Sequence, residues 1–210
     1  MCFIRDVTME IRSKASESGP IRNVAVYLGS AESRDPGFRQ AAVDLADYLA
    51  GHGMTLIFGG SNAGMMKILA DTMLQKKGRV IGIFVRCLPE RLIRNDLTES
   101  VITDTLAERK AEMLKRADAV IAFPGSFGTL DELFDALAQS KLGAVRCPIG
   151  VLNVNGFFDP LFALLRNSVD AGFTSARTAA LLRCGATPEE LLEDLESAKN
   201  GSPGTPWRAE

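Results

Sequence analysis

One stretch of the chain combines residues that could hold a phosphate with a residue that could do chemistry beside it. The apolar run at residues 119–123 predicts a strand buried on both faces, Gly125 and Gly128 interrupt it, and a helix begins near Thr129. Such a junction can bind anions because free backbone N–H groups and the positive end of the helix dipole point to one place. Glu132 follows Thr129 by three residues, so both side chains can face the same cavity. The pattern therefore indicates a phosphate site with a carboxylate beside it; a glutamate that only favours the helix dipole is the alternative.

The rest of the composition limits the chemistry further. The chain has a single histidine, His52, which lies between two glycines where a predicted helix gives way to a strand. This position favours a helix C-terminal cap over a catalytic role. Ser–His triads and histidine-rich zinc sites are therefore disfavoured. Any chemistry must depend on carboxylates, on arginine or lysine, and on backbone dipoles.

Length and charge are those of an ordinary globular domain. The 210 residues are 46% hydrophobic and 24% charged, which favours one domain with a proper core. The formal net charge of −2 argues against nucleic acid or an anionic membrane as a partner. No apolar run is long enough to span a membrane, and residues 1–10 mix acids and bases too early for a signal peptide. Four scattered cysteines without a Cys-x-x-Cys pair predict reduced, mostly buried thiols and a cytoplasmic location.

Apolar strand patterns and amphipathic helix patterns alternate along the chain. Buried strands are predicted at residues 23–30, 54–58, 79–85, 119–123 and 148–154. Helices are predicted to begin near residues 36, 64, 106, 129, 159 and 188. The alternation predicts an α/β fold, a doubly wound, Rossmann-like parallel sheet with helices on both faces.

The composition of the two ends differs from that of the segment with alternating strands and helices. A single Rossmann-like domain is predicted at residues 21–199, with a flexible N-terminal extension at 1–20 and a flexible tail at 200–210. Residues 86–105 are charged and irregular, and a loop of that length within a domain is typical of a functional lid or an interface.

Ligands of such sheets bind beyond the carboxyl ends of the strands. Three segments are predicted to line that rim, at residues 29–30, 59–64 and 124–129. The P-loop pattern Gly-x4-Gly-Lys-[Ser/Thr] is absent, which excludes a P-loop NTPase. The dinucleotide fingerprint is incomplete, because Ser61 occupies its second glycine position and the following strand ends in Arg86 rather than an acidic residue. The sequence therefore favours a mononucleotide.

Five segments in order resemble the motifs of the Lonely Guy (LOG) family, and the likeness covers about residues 23–195. Residues 108–113, Glu-Arg-Lys-Ala-Glu-Met, resemble its ERKxxM motif, and residues 124–132, Pro-Gly-Ser-Phe-Gly-Thr-Leu-Asp-Glu, resemble its PGGxGTxxE motif. Residues 27–30, 58–66 and 151–156 are similar to its YCGS turn, its YGGGxxGLM loop and its GLLNxxGYY strand.

The resemblance implies an N-ribosidic bond split in a nucleoside 5′-monophosphate, AMP or a cytokinin riboside monophosphate, giving free base and ribose 5-phosphate. It implies that Arg109 and Glu132 are catalytic, that neither a metal nor an organic cofactor is needed, and that the protein is a homodimer. The substrate-binding residues that it implies are Gly29, Ser30, Gly60, Lys110, Met113, Pro124, Gly125, Ser126, Gly128 and Thr129.

The chemistry is consistent with these two side chains. Cleavage of a ribosyl–purine bond develops positive charge on the sugar and negative charge on the base. A Glu132 carboxylate could stabilise the sugar or activate water, and a permanently cationic Arg109 could stabilise the base or phosphate. The alternative for Arg109 is an exposed helical ion pair with Glu112.

A non-catalytic nucleotide-binding or carrier protein of the same fold is the competing interpretation. Ser61 and Ser126 stand where the family motifs have glycine, which such a protein would tolerate. The preferred base stays open. No lysine lies in a sequence context typical of pyridoxal phosphate enzymes, so decarboxylation has no support in the sequence.

Overall fold

A parallel sheet of seven strands runs through residues 19–201, the part of the chain that the computed structural model describes. The strands are β1 (Asn23–Tyr27), β2 (Thr55–Phe58), β3 (Arg79–Val85), β4 (Glu99–Thr103), β5 (Ala119–Ala122), β6 (Ile149–Leu152) and β7 (Leu182–Gly185). They lie in the order β4-β3-β2-β1-β5-β6-β7, and each neighbouring pair is parallel. The predicted doubly wound α/β fold is confirmed.

Helices cover both faces of this sheet. They are α1 (Pro36–Gly51), α2 (Gly64–Gln75), α3 (Leu106–Arg116), α4 (Phe127–Lys141), α5 (Asp159–Asp170), α6 (Ala176–Ala179) and α7 (Pro188–Lys199). Short 3-10 turns lie at Glu90–Leu92 and Val154–Gly156.

Strand β1 shows how the sheet is covered on both sides. Val24 and Val26 belong to a core cluster with residues of α1, α2 and α7, whereas Ala25 and Tyr27 belong to a second cluster with residues of α3, α4 and α5. Successive strand residues point to opposite faces, so each face buries its own set. An apolar run without alternation is what this burial requires.

Local signals predicted both ends of α1. The Asp35 side chain accepts a hydrogen bond from the Gly37 amide at 2.8 Å, and Pro36 occupies the first helical position. At the other end, the His52 backbone amide donates to the Tyr48 carbonyl at 3.1 Å. His52 is thus the predicted C-terminal cap.

Two strands were missing from the sequence prediction. β4 lies within the segment predicted to be irregular, and β7 lies between two helices. β4 is an edge strand whose residues alternate between half-buried and exposed as far as the buried Thr103, so it lacks the continuous apolar pattern of the central strands. The irregular segment is therefore shorter than predicted, residues 86–98, and connects β3 to β4.

The prediction of mostly buried thiols is wrong for the described cysteines. Cys87 is exposed, Cys147 and Cys184 are half-buried, and all three are free. Cys2 lies outside the described residues, as do most of the predicted extension and tail (1–18 and 202–210). Within residues 19–201, no helix has both the length and the apolarity needed to cross a membrane.

The order of strands creates a cleft beside β1. From β1 the chain adds β2, β3 and β4 on one side, then crosses to add β5, β6 and β7 on the other. The helices that follow β1 and β5 lie on opposite faces, so the two connecting loops diverge. Such a divergence leaves a crevice at the carboxyl ends of these strands.

Candidate active site

The tip of α4 faces this crevice with its first turn open. No side chain within residues 19–201 caps the helix, although its N-cap residue is Ser126. The free amides of a first helical turn, together with the helix dipole, attract an anion. The Thr129 side-chain oxygen lies in the same turn, is buried, and has no hydrogen-bond partner among the described residues.

Gly125 permits the close packing of this tip against the loop after β1. A Cβ atom on Gly125 would lie 2.1 Å from Thr129 Oγ1 and 3.1 Å from the Gly29 nitrogen, so a larger residue would push these elements apart. Gly128 is different, because a Cβ atom there would meet nothing within 4 Å. Its predicted role can depend only on its backbone amide.

Arg109 and Glu132 form a buried ion pair beside the tip of α4. Arg109 Nη1 lies 2.7 Å from Glu132 Oε1, and Arg109 Nε donates to the Ile83 carbonyl at 2.9 Å. The two side chains are 12% and 6% exposed. A charged pair at this depth needs good geometry, since each ion has lost most of its water. The exposed pair with Glu112 does not form; Glu112 pairs with Arg116 instead, at 2.6 Å.

Gly59 makes room for the arginine. A Cβ atom on Gly59 would lie 1.9 Å from Arg109 Nη2, so the guanidinium rests directly against the backbone of the loop after β2. The next residue, Gly60, has φ of +78°, and a Cβ atom there would lie 2.5 Å from the Phe84 ring. Both glycines are therefore required by geometry.

The Glu132 carboxyl group is harder to ionise than an ordinary glutamate. Burial raises its pKa, the Arg109 guanidinium opposes that shift, and the carboxylate of Asp131 adds to it. Tyr27 is a neighbour in the same environment. Burial, and next the Glu132 charge, raise the pKa of its phenol, which is 1% exposed and lacks a hydrogen-bond partner in residues 19–201. A neutral phenol therefore lies close to the carboxylate.

The structure places the predicted site residues in different environments. Arg109 pairs with Glu132, and Thr129 packs with Gly125 and Gly29 at the start of the same helix α4. Gly60 packs against the Phe84 ring and directly follows Gly59, on which Arg109 rests. Ser126 and Gly128 are exposed at the α4 tip, Pro124 is buried behind it, and Ser30 is exposed after β1. Two others lie apart. Met113 is fully buried in the core, and Lys110 Nζ lies 3.1 Å from Asp131 on the flank of α4.

Sequence reasoning missed two contributors. The Ile83 carbonyl that accepts from Arg109 is a backbone atom of β3 and leaves no signal in the sequence. Tyr27 lies within a segment that the family motifs cover, and that position is the signal that could have found it. Gly59 belongs to the segment predicted to line the rim, but its contact with Arg109 was not predicted. As for metals, the described chain contains no group of three or more His, Cys, Asp or Glu side chains that could hold an ion.

Comparison with known sequences gives consistent matches. The sequence model of a family described as possible lysine decarboxylase matches residues 66–195. Cytokinin riboside 5′-monophosphate phosphoribohydrolase LOG3 of Arabidopsis thaliana is 32% identical over 193 residues, covering 90% of this chain and 88% of the relative. Probable cytokinin riboside 5′-monophosphate phosphoribohydrolase LOG4 of Oryza sativa subsp. japonica is 35% identical over 181 residues, covering 86% of this chain and 79% of the relative.

Solved structures share the fold. A molybdenum cofactor binding protein from the phototrophic bacterium Rippkaea orientalis has 25% identity and a TM-score of 0.62, with 84% of this chain and 96% of that chain covered. The molybdenum cofactor carrier protein of Chlamydomonas reinhardtii has 19% identity and a TM-score of 0.62, with 84% and 97% covered.

Proposed function

We propose that this chain, which belongs to the Lonely Guy (LOG) family, hydrolyses the N-ribosidic bond of a nucleoside 5′-monophosphate. The observation that carries the proposal is the buried Arg109–Glu132 pair, 2.7 Å apart, next to an uncapped helix tip. The relatives' names state a phosphoribohydrolase activity on cytokinin riboside 5′-monophosphates. AMP and cytokinin riboside 5′-monophosphates are the proposed substrates.

The tip of α4 binds the 5′-phosphate in this proposal. The open amides of Phe127, Gly128 and Thr129 face the anion, and the Thr129 hydroxyl, which has no partner in the described part of the chain, donates a hydrogen bond to it. This places the ribose over the Arg109–Glu132 pair.

Hydrolysis then adds one water molecule across the bond between the sugar and the base. The bond between the sugar carbon and the base nitrogen breaks, and its electron pair stays on the base. The Glu132 carboxylate stabilises the positive sugar and accepts a proton from the attacking water, whose oxygen bonds to the sugar carbon. Arg109 stabilises the negative charge on the departing base, and the base then takes up the proton that Glu132 accepted from water, which restores the carboxylate. The raised pKa of Glu132 makes it a better base than an exposed glutamate.

Incubation with AMP and with isopentenyladenosine monophosphate tests the proposal. We expect free base and ribose 5-phosphate from at least one of the two. Glu132→Gln should lower base release by about 10²- to 10⁴-fold and leave AMP binding measurable. Asp131→Asn is the matched control, since this neighbouring carboxylate is exposed, and it should retain activity. Unchanged turnover in Glu132→Gln would remove this residue from the mechanism.

A non-catalytic carrier is the second candidate. The match to the molybdenum cofactor binding protein, at 25% identity, favours it, as do the serines at positions 61 and 126. A carrier of this fold would bind a phosphorylated ligand at the same helix tip and release no base. Binding of AMP by calorimetry without products in the assay above would select this candidate.

A further inference from the structure

The β3–β4 connection, residues 86–98, carries an arginine that no motif of the family explains. Arg94 is 6% exposed and binds two carboxylates at once. Its Nε and Nη2 donate to the two oxygens of Asp96 at 2.9 and 2.7 Å, and its Nη1 donates to Asp71 Oδ1 at 2.6 Å. A guanidinium at this depth fixes geometry, because the planar group allows these three bonds in one arrangement only.

The partner Asp71 connects this arginine, through helix α2, to the loop that follows β2. Asp71 belongs to α2, the helix that begins at Gly64 directly after the loop at residues 59–64. The Lys67 amine also pairs with Asp71. Hydrogen bonds from Lys67 and Arg94 outweigh the burial of Asp71 and lower its pKa, and the Arg94 hydrogen bond likewise lowers the pKa of Asp96. Both carboxylates are thus held as ions.

The connection also contacts the loop directly. Ile93, next to Arg94, forms an isolated antiparallel bridge with Ser61, and the Asn62 amide donates to the Leu92 carbonyl at 2.7 Å. Two residues before Ser61 lies Gly59, on which the Arg109 guanidinium rests. A continuous series of contacts therefore leads from Arg94 through Ile93, Ser61 and Gly59 to the guanidinium of Arg109.

We propose that Arg94 is a positioning residue: by anchoring residues 92–94 to α2, it holds the loop at residues 59–61 in the place that keeps Arg109 against Glu132. The arginine itself touches neither member of that pair among the contacts described. The effect on turnover rests on the proposed hydrolysis, whereas the effect on the loop and on the carboxylate does not.

Arg94→Met and Arg94→Lys test this role against Arg86→Met. Arg86 lies at the start of the same connection and pairs with Asp104 at 2.6 Å, but both members of this pair are largely exposed, at 68% and 67%. The first readout is amide hydrogen exchange at Asn62, which should accelerate about tenfold or more in Arg94→Met. The second is the carboxyl ¹³C titration of Glu132, whose midpoint should move upward as Arg109 withdraws. Arg94→Lys should be intermediate, and Arg86→Met should match the wild type in both.

Kinetics supply a third readout if the wild type releases base. Arg94→Met should lower kcat about tenfold with little change in KM, because the phosphate site at α4 is untouched. The proposal would be overturned if folded Arg94→Met showed the wild-type exchange rate at Asn62 and an unchanged Glu132 titration midpoint. A lower melting temperature without a change in these two readouts would have the same meaning. If the wild type has no activity, the proposed function fails and the first two readouts still decide the role of Arg94. If Arg94→Met does not fold, the comparison of Arg94→Lys with Arg86→Met decides it.

Discussion

Among single residues, the two members of the buried Arg109–Glu132 pair should have large effects on stability. Removal of one member of such a pair leaves the other charge buried without compensation, at a cost of about 3–5 kcal/mol. Burial by itself already raises the Glu132 pKa, and Arg109 is the largest influence that lowers it. The arginine therefore controls how much of Glu132 is ionised, in addition to any contact with substrate.

The stability lost on replacing Arg109 should depend on pH. Arg109→Met should raise the Glu132 pKa further, because it removes the positive charge that opposes burial. A carboxyl group with a raised pKa in the folded state binds protons more tightly than in the unfolded chain, so its contribution to stability is lost as pH rises through the folded pKa. The deficit of Arg109→Met in unfolding free energy should thus be about 3 kcal/mol above that pKa and shrink on acidification.

Urea unfolding across pH measures this deficit. Arg39→Met is the control, since Arg39 pairs with Glu32 at a site where both side chains are 58% exposed, and we expect its deficit to be small at every pH. A deficit in Arg109→Met that stays constant or grows towards low pH would contradict the assigned coupling.

At the scale of elements, α4 differs from the helices that are capped by their own chain. Side chains cap α1, α3 and α7, where Asp35, Thr105 and Thr187 accept from first-turn amides. In α4 the serine at the N-cap makes no such bond within residues 19–201, and the buried Thr129 hydroxyl is unpaired in that same range. Unpaired buried polar groups are costly, and a ligand that pairs them recovers that cost.

Thr129→Val separates ligand binding from folding. Because Thr129 Oγ1 has no partner within the described chain, its loss should leave the unfolding free energy within about 0.5 kcal/mol or increase it. Affinity for AMP and for inorganic phosphate should fall about tenfold, the value of one hydrogen bond to a charged group. Calorimetric titration with each ligand measures the change.

Thr187→Val is the matched control for this element. Its hydroxyl accepts from the Glu190 amide at 3.3 Å, far from the crevice, so this variant should lose about 1 kcal/mol of stability and keep its affinity for AMP. If Thr129→Val behaved like this control, Thr129 would be a core residue and not part of the phosphate site.

At the scale of the whole molecule, one flank remains apolar and exposed. Phe134 on α4 is 42% exposed, Leu164 on α5 is 56% exposed and Phe173 after α5 is 85% exposed. Leu133, which directly precedes Phe134 on the same helix, is fully buried in the core. Core packing thus accounts for Leu133 and not for Phe134, and exposed apolar side chains of this size favour association.

We expect the protein to be a homodimer that buries this flank, as the family resemblance implies. Sedimentation should give a dimer for the wild type, and the double variant Phe134→Lys, Phe173→Lys should shift it to a monomer. Ile102→Lys, at a 55% exposed position on the edge strand β4, is the control and should remain dimeric. A wild type that sediments as a monomer at all concentrations would refute the prediction.

Features that depend on residues adjacent along the chain could be predicted from the sequence. The caps at Asp35 and His52, the central strands and the glycine turn before α4 each follow from a few adjacent residues, and the structure confirms them. The edge strands β4 and β7 were missed, because an edge strand needs no continuous apolar run and pairs with residues far away in the sequence. The position of Glu132 near the start of α4 could be predicted and the structure confirms it, whereas its catalytic role stays a prediction.

The contacts of those residues could not be predicted from the sequence and are seen only in the folded structure. Arg109 and Lys110 are adjacent residues of one motif, yet their side chains have different partners. Arg109 pairs with Glu132 in the crevice, whereas Lys110 pairs with Asp131 on the flank of α4. Neither the Ile83 carbonyl behind the arginine nor the bridge between Ser61 and Ile93 has a signature in the sequence. The reason is physical: local conformation depends on a few adjacent dihedral angles, whereas these distances depend on how the strands order themselves and how every helix packs between them.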